Sequence, residues 1–98
     1  MFDARTYLIR RAVPTDQDVL KRLARLDTQR PIAGDVLIGE IGGIPAAAIA
    51  LTDGRVIADP FMATAGLVPL LRARYRAFRQ RPERSWLIDL LRPRTVYA

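Results

Sequence analysis

The chain has 98 residues, half of them apolar and about a quarter charged, which suits one folded domain with one core and is too apolar for a disordered segment. It has no cysteine and no histidine, so a disulfide framework, a thiolate or imidazole metal site and every Ser/His or Cys/His nucleophile pair are excluded. The net charge of +6 is uneven: residues 1–69 hold eight basic and eight acidic side chains, whereas residues 70–98 hold eight arginines against Glu83 and Asp89, so the whole excess lies in the last third.

The opening MFDARTYLIRR carries Asp3 and only a short apolar stretch before Arg10 and Arg11, less than the apolar run of a signal peptide, and the expectation is a cytoplasmic protein. Thr6 to Ala12 is rich in β-formers and ends at Val13-Pro14, where the residue before proline is pushed towards extended geometry; this predicts the first strand. Thr15 followed by Asp18 resembles a capping box and places the start of a helix at Thr15. Val19, Leu20, Leu23 and Leu26 form its apolar stripe, with Lys21, Arg22 and Arg25 on the wet side, and Arg30-Pro31 marks the break.

Val36 to Ile41 and Ile44 to Leu51 are β-prone runs joined by Gly42-Gly43, a pair that accepts the positive φ angles of a tight hairpin. Glu40, three glycines and Pro45 interrupt this apolar region, which falls short of the roughly 20 residues of a spanning helix, so no transmembrane segment is expected. Thr52 to Arg55 turns the chain into Val56 to Asp59, completing a three-stranded meander, and Ala46 to Ala48 leave room for a helix against it. From Thr64 the period becomes helical again, with Leu67, Leu70, Leu71, Tyr75 and Phe78 on one stripe and Arg72, Arg76 and Arg79 on the other. Pro69 requires that helix to begin near Gly66 or Leu67. Pro82 ends it and opens a short basic segment over residues 83–98, with Trp86, Leu87, Leu90 and Leu91 on a single face. The expected architecture is α+β: a three- to four-stranded, mainly antiparallel sheet with two to three packed helices, residues 1–82 forming the domain and 83–98 a basic tail.

Strand, helix, loop, meander, helix is the order that opens the GNAT acetyltransferase superfamily. YLIRRAVPTDQDVLKRL resembles that family's first strand and helix, and VLIGEIGGIPAAAIAL its second and third strands, over about residues 6 to 59. The resemblance implies the front half of a GNAT fold. In that family acetyl-CoA is held by amides of a splayed fourth strand and a loop of the form Arg/Gln-x-x-Gly-x-Gly/Ala at the next helix, because bare amides at a helix N-terminus cradle pyrophosphate. The stretch here, Asp59-Pro60-Phe61-Met62-Ala63-Thr64-Ala65-Gly66-Leu67, has one glycine, no arginine and a leading aspartate. No catalytic, cofactor-binding or metal-binding residue is therefore carried over.

Three readings of partners follow from the residues. The sheet ends early, since no strand is offered after Asp59, and an unpaired edge invites another chain; this leads to a non-catalytic, truncated GNAT-like module that binds a protein partner or itself, with Trp86, Leu87, Leu90 and Leu91 as the candidate interface. The first rival is an acyl-CoA-dependent N-acetyltransferase completed by a second chain. The second is nucleic-acid binding through Arg72, Arg76 and Arg79, with the bland alternative of a solvated helix face preferred. Turn chemistry accounts for Asp53 and Asp59, and Asp35 and Glu40 lie with them at strand ends, so no acid/base pair is proposed among them.

Overall fold

A computed structural model of the chain describes residues 6–80. In chain order it contains β1 (Tyr7–Arg11), a 3-10 turn (Pro14–Asp16), α1 (Gln17–Leu26), β2 (Val36–Ile41), β3 (Ile44–Ala50), β4 (Val56–Ala58) and α2 (Leu67–Gln80). The strands form one antiparallel sheet in the order β1-β2-β3-β4, each beside its sequence neighbour. The fold is thus α+β, with the expected meander and both expected helices. No helix among the described residues is long and apolar enough to cross a membrane. The basic segment read over residues 83–98, with Trp86, Leu87, Leu90 and Leu91, lies outside the described residues, as does the boundary at residue 82.

Strand alternation divides the core in two. Leu37, Ala47 and Ile49 point to one face and pack with Ile9, Leu67 and Leu71, which brings α2 over β2 and β3. Ile38, Ala48, Ala50 and Ile57 point to the other face and pack with Leu20, Leu23 and Ala24, which brings α1 over β3 and β4. The alanine run in β3 therefore admits a helix on each side of the sheet. Burial of each leucine in these layers contributes about 1.5–3 kcal/mol.

Two backbone features set this geometry. Gly42 and Gly43 both have positive φ, +58° and +86°, the conformation that a two-residue hairpin turn with the right twist demands. Gly39 sits beside a register shift in the β2/β3 ladder, and a side chain there would run into Leu67, so its missing Cβ is what lets the start of α2 descend onto the sheet. Pro69 is the third residue of α2, where its missing N–H removes no intrahelical bond.

The start of α1 differs from the sequence reading. Pro14 opens a 3-10 turn before the helix, and the residue that holds the entry is Asp16, not Thr15. Asp16 Oδ2 accepts the Val13 N–H at 2.8 Å, three residues back, while Thr15 is exposed. The pull that turns Asp16 inward is Arg10 on β1, whose guanidinium donates to both carboxylate oxygens at 2.8 and 2.9 Å.

Candidate functional site

Asp35, Glu40, Asp53 and Asp59 each accept a hydrogen bond from an arginine or a backbone amide. Glu40 accepts from Arg10 Nε at 2.9 Å, Asp35 from Arg11 at 2.7 Å, Asp53 from the Arg55 N–H at 3.0 Å and Asp59 from the Phe61 N–H at 2.8 Å. Arg10 thus joins Asp16 and Glu40 in a half-buried triad over the α1 face of β1. The Arg10 hydrogen bonds hold the Asp16 carboxyl below its ordinary range; burial opposes this and the Val13 N–H assists it. The same pairing raises Arg10 further above its already high value. This is a clamp of one guanidinium and two carboxylates that ties β1 to β2 and to the helix entry. Among the described residues no group of three or more potential ligand side chains is placed to hold a metal ion.

The loop from Asp59 to Thr64 is folded on itself. The Phe61 N–H goes to the Asp59 side chain, the Met62 N–H to the Asp59 carbonyl at 3.2 Å and the Thr64 N–H to the Met62 carbonyl at 2.9 Å. A Cβ added at Gly66, just before α2, would run into the Tyr7 hydroxyl. The amides at 61, 62 and 64 are therefore turned into the loop, and Asp59, itself buried, stands at its head. Compared with known proteins, the chain matches no family model, no curated protein and no solved structure.

Of the residues singled out in the sequence, Arg72, Arg76 and Arg79 lie exposed on α2. Arg79 donates to the Tyr75 hydroxyl at 3.0 Å and lies 5.8 Å from that ring's centroid, an arrangement that ties it to its own helix. Tyr75 itself packs against the α2 side of the core, as its position on the apolar stripe implied. A recess of about 350 Å³ lies between the 3-10 turn and the loop at 32–34, walled by Val13, Pro14, Leu20 and Ile32 with Arg11 and Gln17 at its rim. It offers shape but no convergent set of polar groups.

The two edges of the sheet are unlike each other. Along β4, Ile57 faces β3, because the neighbouring bonds Asp59 N–H to Ala46 and Ala50 N–H to Arg55 set the alternation; Val56 and Ala58 therefore point their backbone groups outward. That edge is not bare, contrary to the sequence expectation. Asp27 accepts the Ala58 N–H at 3.0 Å, and Gln29 donates to the Val56 carbonyl at 3.3 Å. Arg55 clamps the same loop through the Arg30 and Pro31 carbonyls at 2.9 and 2.8 Å. The loop is aimed there by Thr28, at φ +51°, with the Gln29 N–H closing on Ala24 at 2.8 Å as in a Schellman motif.

Along β1 the bonds Ala12 N–H to Val36 and Gly42 N–H to Thr6 set the opposite phase, so Tyr7, Ile9 and Arg11 direct their backbone groups away from β2. Among the described residues no strand lies beyond β1, and no backbone or side-chain group meets the outward groups of Tyr7 and Ile9. The sequence missed this because a first strand carries no local sign of whether a later segment will flank it. The β4 cap was likewise silent: Asp27 and Gln29 read as ordinary residues past a helix end.

Proposed function

We propose that the chain is a non-catalytic, GNAT-like binding module that accepts an extended strand of a protein partner along the outer edge of β1. One observation carries the reading: side chains from the loop after α1 close β4, while no other described residue meets the outward donors and acceptors of Tyr7 and Ile9 on β1, which an added strand would satisfy. Two arginines on an edge usually discourage pairing, but here Arg10 is neutralised by Asp16 and Glu40, and Arg11 is paired with Asp35. The non-catalytic part is supported by the self-bonded loop at 59–64 and by carboxylates already committed to backbone or arginine partners.

Hydrogen exchange on the dilute, isolated chain tests it. The amides of Tyr7 and Ile9 exchange at rates set by solvent, whereas the Ala58 amide, at the end of an equally peripheral strand, is protected. Slow exchange at Ile9 in a dilute monomer would remove the edge from consideration. Calorimetry with acetyl-CoA addresses the enzymatic alternative, and here we expect no binding heat at millimolar ligand.

A second reading places phosphates along α2, where Arg72 and Arg76 are exposed and no acidic residue occurs between Pro60 and Gln80. It calls for nucleic-acid binding that weakens steeply with salt, and affinity independent of salt sinks it.

A further inference from the structure

We infer that the strand received at the β1 edge is β1 of a second copy of this chain, paired antiparallel about Ile9. This rests on the strand-addition reading and adds the identity of the partner. The argument is one of self-complementarity. Because Ile9 directs both backbone groups outward, placing it opposite itself across a twofold axis lets the two copies exchange both N–H···O bonds at that position. No one-residue slip does this, since Leu8 and Arg10 spend their groups on β2.

The same register arranges the side chains without conflict. On the α2 face Ile9 meets Ile9, and Tyr7 of each copy lies opposite Arg11 of the other, a ring beside a guanidinium. On the α1 face Leu8 lies opposite Arg10, whose charge is held by Asp16 and Glu40 within its own copy. No arginine faces an arginine. The twofold axis runs perpendicular to the sheet, so the product is one continuous eight-stranded antiparallel sheet. Its outer edges are the two β4 strands, each already closed by Asp27 and Gln29, so pairing stops at two copies.

The test uses the full chain in two isotopic forms, mixed and studied by sedimentation and isotope-filtered NMR. The expected result is a dimer with an intermolecular contact between the α-protons of Leu8 and Arg10, which adjacent non-hydrogen-bonded positions of this register bring together. A dimer that lacks the Leu8–Arg10 contact overturns the inference. A monomer at millimolar concentration with a freely exchanging Ile9 amide also overturns it, while leaving strand addition by a different protein standing. A monomer whose Ile9 amide is protected overturns both.

Discussion

Gly39→Ala isolates the contact on which the seating of α2 depends. A Cβ built at Gly39 comes within 2.7, 2.8 and 2.9 Å of three Leu67 side-chain carbons. Apolar carbons rest near 3.5–4.0 Å, so the new methyl group stands roughly 0.6–1.3 Å too close to all three. Leu67 is fully buried and shares its layer with Leu37, Ile41 and Leu71, so it has no open direction in which to give way. Overpacking of this kind costs about 1–3 kcal/mol. Leu67→Ala alone costs about 2–5 kcal/mol through the cavity it leaves. In the double variant the new methyl occupies part of that cavity, so the penalty of Gly39→Ala disappears and the two changes couple by about 1–3 kcal/mol. Urea denaturation of the four proteins, compared at equal slope, reads the coupling directly. Additive effects, or a Gly39→Ala protein within about 0.5 kcal/mol of the parent, would refute the close approach.

Asp16→Asn removes the charge that Arg10 and the Val13 N–H share, and should lower stability near neutrality by about 1–3 kcal/mol. Because the folded state holds this carboxyl below its ordinary range, its contribution is present above the unfolded value near pH 4 and is lost as pH falls through the folded one; the gap between parent and variant therefore closes on acidification, as denaturation at a series of pH values will show. Thr28→Gly relieves a β-branched residue of its φ of +51° and should raise the urea midpoint, by up to about 1 kcal/mol in free energy. Replacing both Asp27 and Gln29 by alanine uncovers the Ala58 N–H and the Val56 carbonyl; light scattering should then show growth beyond a dimer, with a far-UV spectrum still folded in dilute solution.

Much of the fold was legible because its signals are local. The period change at Thr64, the Gly42-Gly43 turn and the break at Arg30-Pro31 each act through a few adjacent residues, and elements appear where those residues place them. The entry to α1 was misread for the opposite reason. Thr15 is the better cap by sequence, but Arg10, on the preceding strand, gives Asp16 a partner that no capping rule contains. The same limit hid the edges. Whether Val56 and Ala58 need a neighbour depends on Asp27 and Gln29, some thirty residues earlier, and the candidate site is a difference between two strands, not a motif on either.

That difference gives the arginines of β1 a meaning their composition alone conceals. In isolation Arg10 and Arg11 read as charges that keep an edge from pairing. With Asp16 and Glu40 within 2.8 and 2.9 Å of Arg10, and Asp35 at 2.7 Å from Arg11, the edge carries ion pairs in place of bare cations. Arg10 binds to the entry of α1 through Asp16 and to β2 through Glu40, so the clamp that makes the edge compatible with a second strand also fixes the first helix to the sheet. A change that frees Arg10 therefore acts twice, loosening the entry to α1 and returning repulsion to β1. In Asp16→Asn these effects share one cause, and loss of association should accompany the loss of stability at neutral pH.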